Sequence, residues 1–458
     1  MKILELLGKK VIVFDGAMGT QLQAAGLANG EYPDSWNVDR GDEVKAIHKR
    51  YFLAGCDVVT TNTFGSNRLK SGASGYSVDE IVSAAVKNCK EAIAEVNEER
   101  RQEGLEERQL FTALDIGPSG KMLDLMGDYD FDEAYDLFKE QVIAGTNAGA
   151  DVIIFETFSD IAELKAGLIA AKENSPLPIF CTMTFQDDGR MLMGTDPETA
   201  VLALQDMGID AIGVNCSLGP KELLPVISKI LKVAKIPVIA QPNAGLPRNV
   251  DGAATYDISV DEFVEYAMDI LNEGVAVIGG CCGTTPEYIA KLRENVDEAN
   301  SIPGTQKYLN EAVACTSQKH VFIDPSQIII EDGSIDIEEF ENDLLDEEYE
   351  EVVSTAMDIV DDGSRVVVFN FSFAQEDEGK LLKEAVHTVS MNGNIPIAIF
   401  SRSPEHIEDA VRYCRGRPLI ITEPLKMETL QAFQEIAKKY GADIVCMIDE
   451  VGTIAGIQ

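Results

Sequence analysis

Basic residues are scarce in this chain: 38 Lys and Arg stand against 78 Asp and Glu, a formal charge of −40. That imbalance excludes nucleic acid and anionic membrane surfaces as partners, because both require a basic footprint. Long apolar runs are missing too; none approaches the ~18 residues that a membrane-spanning helix needs. The opening stretch, Met1 to Lys10, spaces its charges too closely for a signal-peptide core, so a cytoplasmic location is expected. Paired histidines are absent: His48, His320, His387 and His406 show no His-x-x-x-His spacing, which disfavours histidine metal sites. No strand-like run leads into a glycine fingerprint for dinucleotides. The nine cysteines are odd in number and thinly spread, which suits a reducing compartment better than a disulfide scaffold.

What is present begins with two adjacent cysteines in Ile278-Gly279-Gly280-Cys281-Cys282-Gly283-Thr284-Thr285-Pro286. Neighbouring side chains on a strand point to opposite faces. Glycine on both sides removes the Cβ restriction and lets the backbone bend until both sulfurs converge. Cys216, in Gly213-Val214-Asn215-Cys216-Ser217-Leu218-Gly219-Pro220, likewise ends an apolar run at a turn. Three thiolates on one site suit a soft metal, zinc foremost, with a fourth position open for chemistry. A strained disulfide between Cys281 and Cys282 is the competing reading. Cys56, Cys89 and Cys181 read as small buried hydrophobes.

Apolar runs at Val11–Phe14, Asp57–Thr60, Leu110–Asp115, Asp151–Phe155, Ile179–Thr184, Ala211–Val214, Pro237–Ala240 and Val275–Ile278 alternate with amphipathic helical stretches. Eight βα units in about 300 residues predict an α/β fold, a (β/α)8 TIM barrel. Asp15, Asn62, Asp115, Glu156, Thr184, Cys216, Asn243 and Cys281 lie just after these runs or at their ends. In a barrel they meet at the C-terminal rim, where barrel enzymes keep their active sites. The spacing divides the chain into a barrel over 1–300, a linker over 301–318 and a smaller C-terminal α/β domain over 319–458. That last domain has strand-like runs at Val366–Phe371, Ile395–Phe400, Pro418–Thr422 and Asp443–Met447, half a barrel's worth, so it must pair with something or form an open sheet. Its acidic tract, Glu331 to Asp362, holds 15 acids and no Lys or Arg. The tract reads either as a solvated surface or as a docking face for a basic partner. Lys121–Asp128, with Met122 and Met126, reads as a rim loop.

Six motifs, in order, resemble the homocysteine S-methyltransferase family: Asp15-Gly16-Ala17-Met18-Gly19-Thr20, Thr61-Asn62-Thr63-Phe64-Gly65, Phe155-Glu156-Thr157, the Cys216 segment, Pro242-Asn243-Ala244-Gly245 and the Cys281-Cys282 segment. The likeness is nearest to the homocysteine-binding module of cobalamin-dependent methionine synthase. It implies a zinc barrel with Cys216, Cys281 and Cys282 as ligands, homocysteine as methyl acceptor and methionine as product. Asp15 and Glu156 are then expected at the substrate ammonium, the backbone around Gly16 and Ala17 at its carboxylate, Asn62 at the pocket wall, and Asn243 at the metal when substrate is away. Residues 319–458 resemble a truncated, degenerate pterin-binding barrel through Val366-Val367-Val368-Phe369-Asn370-Phe371 and Gly416-Arg417-Pro418-Leu419-Ile420. The opening Gly-Glu-Arg-x-Asn motif is absent and Phe369 replaces the motif aspartate, so the likeness does not extend to the pterin-binding residues. No Asp-x-His-x-x-Gly cobalamin motif occurs, so the expected donor is a methylcobamide on a separate corrinoid protein. Alternatives are S-methylmethionine or betaine as donor, another thiol acceptor, and a non-catalytic zinc-bound subunit. A homo-oligomer through the C-terminal domain is a further expectation.

Overall fold

The computed structural model describes residues 2–457 except 73, 124–128, 247, 251–252, 257, 300–310, 325–332, 347, 371–377, 424–426 and 448–453. Eight parallel strands form one sheet: β1 Ile12–Val13, β2 Val58–Thr60, β3 Phe111–Ile116, β4 Val152–Phe158, β5 Ile179–Met183, β6 Ala211–Asn215, β7 Val238–Gln241 and β8 Val277–Ile278. Each pairs with its neighbours in chain order, and β8 pairs back onto β1. The bridge between Phe14 and Val58 closes the remaining seam, helped by the Asp57 N–H on the Val13 carbonyl at 2.6 Å. The eightfold barrel expected from the spacing is therefore the fold of the first compact unit.

The strands are continuous apolar runs because both faces are covered. Ile12, Phe14, Val58, Ala113, Ile154, Phe180, Ala211, Ile239 and Val277 fill the interior, with the Phe14 and Phe180 rings 6.3 Å apart. Helices such as Val78–Gln102 and Phe131–Ala148 start at capping boxes, Ser77 with Glu80 and Asp130 with Glu133. Those caps satisfy N–H groups that the first helical turn leaves open. At the opposite end from the rim, buried Asp57 accepts from Val13 N–H (3.0 Å), Lys10 Nζ (2.8 Å) and Arg293 Nη1 (3.2 Å). Cys56, Cys89 and Cys181 are fully buried and free, as their apolar settings led us to expect.

The second compact unit comprises Asp160–Lys165, Met193–Gly208 and Lys307–Gln458. Its open sheet runs β11 Ser334–Asp336, β12 Val367–Asn370, β13 Ile397–Phe400, β14 Leu419–Thr422 and β15 Asp443–Met447, all parallel, then the antiparallel β16 Ile454–Ile457. A hairpin of β9 Ala312–Cys315 and β10 His320–Ile323 joins it, with Cys315 and Arg417 exchanging backbone hydrogen bonds at 2.8 and 2.9 Å. This corrects the reading of 301–318 as linker throughout. Ala312–Cys315 is a fully buried strand, and its Ala-Val-Ala-Cys composition is too small and short to stand out as apolar periodicity. Arg417, 1% exposed, is neutralised by Asp206 and Asp443 at 2.6 Å each. Among the described residues no helix is long and apolar enough to cross a membrane.

Candidate metal centre

The three sulfurs that the sequence singles out do converge. Cys216, Cys281 and Cys282 place their Sγ atoms within 4.8 Å of one another, and Cys216 and Cys282 are 3.8 Å apart. All three are half-buried, and none is in a disulfide. Two backbone devices bring them together. At the end of β6, Cys216 and Ser217 both adopt left-handed φ, 61° and 56°, which is uncommon outside glycine. This double turn redirects the chain while Cys216 N–H stays on the Gln241 carbonyl. After β8, Cys281 N–H bonds the Pro242 carbonyl, and the Cys282 carbonyl accepts Ala244 N–H. A Cβ on Gly280 would lie 2.3 Å from Thr284 Oγ1, and Gly283 sits at φ 82° against the Tyr256 ring. The flanking glycines are thus required by close approach.

With no metal, three neighbouring thiols cannot all ionise. S–H donation from Cys216 and Cys281, with a further hydrogen bond from Tyr256, holds Cys282 down at about 3. Cys281 is raised by its bonds to Cys216 and Cys282, and Cys216 is pushed up to about 12. Hydrogen bonding within the trio thus favours the thiolate at Cys282 over Cys216 and Cys281. A cation is what would let all three ionise together.

Acids surround this centre. Burial raises Asp15 well above the usual carboxylate range, against the opposing Thr60 N–H bond, and Glu156 adds to the rise. Glu156 is raised to about 7 by burial and then by Cys282. Asp115 is raised by burial and then by Glu156, Asp34 and Asp15. Asp34 reaches about 6 through burial, opposed by Ser66 and Gly65. Among the described residues, the buried oxygens Asp115 Oδ1, Gln241 Oε1 and Asn243 Oδ1 have no hydrogen-bond partner. Unpartnered acceptor oxygens and buried carboxyl groups give this end of the barrel the means to receive a hydrogen-bond donor or a cationic group.

The other expected residues are placed less simply. Asp15, 1% exposed, accepts Thr60 N–H at 3.0 Å and the Thr60 hydroxyl, so it also ties the barrel seam. Glu156 lies on a β-bulge: β4 and β5 pair at Phe155–Cys181 and again at Phe158–Met183, with the register shifted between. Such a bulge re-aims a side chain. Ala17 N–H bonds Thr284 Oγ1 at 3.3 Å, and a Cβ on Gly16 would lie 2.5 Å from that same oxygen. Asn62 gives its amide to the Pro33 carbonyl at 2.9 Å and accepts Asn37 Nδ2 on its own carbonyl. Asn243 is held by its N–H on the Leu218 carbonyl, between the two cysteine segments. Met122 of the rim loop is 57% exposed, while Met126 lies outside the described residues.

Sequence reasoning passed over Asp34, Tyr256, Thr157 and Thr284. Each acts through a partner distant in sequence, and no local signal marks that.

The family model for homocysteine S-methyltransferase matches residues 12–296. Methionine synthase of Mycobacterium tuberculosis is 28% identical over 433 residues, 91% of this chain and 36% of that protein. Methionine synthase of Mycobacterium leprae is 27% identical over 488 residues, 100% of this chain and 39% of its own length. The chain therefore spans little more than a third of the curated relatives it matches. Among solved structures, the oxidized form of the homocysteine methyltransferase MmuM from Escherichia coli aligns with a TM-score of 0.54 at 22% identity, over 64% of this chain and 98% of that one. Its metallated form aligns at 0.53, over 62% and 96%. The fold is shared with these structures, and residues 12–296 match the family. The chain belongs to the homocysteine S-methyltransferase family of enzymes.

Proposed function

We propose that this protein moves a methyl group onto the sulfur of homocysteine to give methionine, with zinc held by Cys216, Cys281 and Cys282. The methyl group is proposed to arrive from a methylcobamide on a separate corrinoid protein. The observation that carries the reading is the convergence of three sulfurs at strand ends beside a carboxyl cluster. Two sulfurs on one tetrahedral zinc at a Zn–S distance of about 2.3 Å lie about 3.8 Å apart, and Cys216 and Cys282 already have that spacing. Cys216, Cys281 and Cys282 would hold the metal and leave one position open, and a zinc ion there would let an incoming thiol ionise at neutral pH while its sulfur stays electron-rich.

The chain's own groups do the rest. Asp15 and Glu156 are proposed to receive the ammonium, and the backbone at Gly16 and Ala17 the carboxylate, with Ala17 N–H exchanging Thr284 Oγ1 for substrate. Asn62 shapes the wall by holding Pro33. The unpartnered Oδ1 of Asn243 is the proposed stand-in for substrate when the pocket is empty. In the transfer, the thiolate lone pair forms the S–C bond, and the pair that held the methyl group leaves with the donor. The thiol proton has gone to solvent on binding.

Similarity to the two methionine synthases extends through the C-terminal unit, whereas the MmuM likeness covers 64% of this chain. That extent supports the corrinoid branch over a sulfonium donor. The same reading carries a cytoplasmic setting and a homo-oligomer through the C-terminal unit. Methionine formation measured in parallel with a methylated corrinoid protein, free methylcobalamin, S-methylmethionine and betaine tests it. Turnover with the corrinoid donors is expected. Turnover with S-methylmethionine or betaine alone removes the corrinoid claim, and metal retention without any turnover favours a non-catalytic subunit.

A further inference from the structure

One buried amide links the sulfur cluster to the bulge that carries Glu156. Asn215, the last residue of β6, is fully buried. Its Oδ1 accepts Thr157 N–H at 2.8 Å and the Thr182 hydroxyl at 2.9 Å. Its Nδ2 donates to Thr157 Oγ1 at 2.7 Å and lies 3.9 Å from Cys281 Sγ. All four hydrogen-bonding positions of the amide are in use. Its orientation is also decided by the network. A backbone N–H can only donate, so the Thr157 N–H fixes Oδ1 on that side and turns Nδ2 toward Thr157 Oγ1 and the sulfur.

The three partners are not ordinary neighbours. Thr157 and Thr182 both fall in the stretch where β4–β5 pairing skips from Phe155–Cys181 to Phe158–Met183, and both bond Asn215 Oδ1. Thr157 sits at φ 64°, a left-handed conformation that a β-branched residue adopts only under constraint. Directly after Asn215 come two more non-glycine residues with left-handed φ, Cys216 and Ser217. Left-handed backbone therefore lies on both sides of one amide, whose side-chain bonds reach Thr157, Thr182 and Cys281. Two hydrogen bonds between Asn215 and Thr157 thus tie the end of β6 to the bulge next to Glu156.

We propose that Asn215 is a positioning residue that couples the metal centre to the ammonium-binding carboxyl, donating an N–H to the Cys281 sulfur while clamping the Thr157 bulge. The coupling to Glu156 rests on the function proposed above; the bond to Cys281 does not. A hydrogen bond to a metal-bound thiolate lowers the energy of the sulfur lone pair, and partners of this kind tune both affinity and electronic structure.

Cobalt(II) bound to the full 458-residue chain gives the readout, through its sulfur-to-metal charge-transfer band. Asn215→Asp keeps both acceptor bonds, to Thr157 N–H and the Thr182 hydroxyl, but has no N–H for sulfur. Its band is expected to move to longer wavelength. Asn215→Ser removes the clamp as well, and its cobalt affinity is expected to fall by roughly 10–100-fold, with a further loss in homocysteine affinity. Thr182→Val removes one bond to Oδ1 and leaves the donor in place, so its band is expected to stay with wild type. Should Asn215→Ser fail to fold, Asn215→Asp still decides. A cobalt-loaded Asn215→Asp protein with the wild-type band overturns the assignment. Homocysteine added to cobalt-loaded wild type tests the proposed function separately: an unchanged spectrum removes that function and leaves the Asn215–Cys281 bond standing.

Discussion

Replacing Glu156 by Gln isolates the carboxyl proposed to hold the substrate ammonium. In the empty pocket Glu156 titrates at about 7, raised by burial and then by Cys282. Its proton is therefore held further up the pH scale than that of an ordinary carboxyl. An ammonium needs the carboxylate, so binding below pH 7 must expel a proton. By linkage, the Glu156 contribution to apparent homocysteine affinity then falls by up to about tenfold per pH unit on the acid side of its titration and levels off on the alkaline side. The substrate thiol also releases a proton on binding and adds its own slope, but that slope is common to wild type and variant. The difference between the two proteins belongs to Glu156. Glu156→Gln also loses a charge-assisted hydrogen bond, about 1.5–3 kcal/mol, which is roughly 10- to 150-fold in Kd at pH 8. Isothermal titration of homocysteine into the metal-loaded chain from pH 6 to 8 measures both effects. Equal pH slopes for the two proteins, with Kd values within twofold at pH 8, would refute the ammonium role.

Two further substitutions test other parts of the account. Structural four-ligand zinc sites bind with about 10–16 kcal/mol, so a ligand is worth about 3 kcal/mol; Cys282→Ser should weaken metal binding more than a hundredfold in a chelator competition and abolish methyl transfer. Asp34, 4% exposed, titrates at about 6 against an ordinary 3.8 because it is buried, so the folded state holds its proton longer than the unfolded state. Its contribution is fully present below about pH 4 and is lost by about pH 6, about 3 kcal/mol in all. Asp34→Asn should therefore show a shallower decline in unfolding free energy across that window, measured by denaturant titration at pH 4, 5, 6 and 7. Parallel declines would contradict it.

Much of the barrel was legible because buried parallel strands are short continuous apolar runs, and their spacing alone gave eight βα units. Boundaries shifted where other forces act. Val11–Phe14 contracts to Ile12–Val13, beside the seam, and Val275–Ile278, its partner on the other side, to Val277–Ile278, while β4 runs past Glu156 to Phe158 because its bulge continues the pairing. The cysteine trio was readable for a local reason: glycines on both sides of Cys281-Cys282 have no use in an ordinary strand end. Asn62 shows the opposite limit. An asparagine at a strand end looks the same in sequence whether it faces substrate or, as here, the Pro33 carbonyl. Asn215 stood beside Cys216 in a quoted motif, yet its partners Thr157, Thr182 and Cys281 are brought to it only by the fold. Ala312–Cys315 was hidden because four small residues carry no periodic signature.

The central claim is that three cysteines hold a metal with one position open for the substrate sulfur. X-ray absorption at the zinc edge of the zinc-loaded chain, before and after homocysteine, tests it most directly. The account predicts three sulfur neighbours before addition and four after. A sulfur count below three without substrate, or one that homocysteine leaves unchanged, would contradict it.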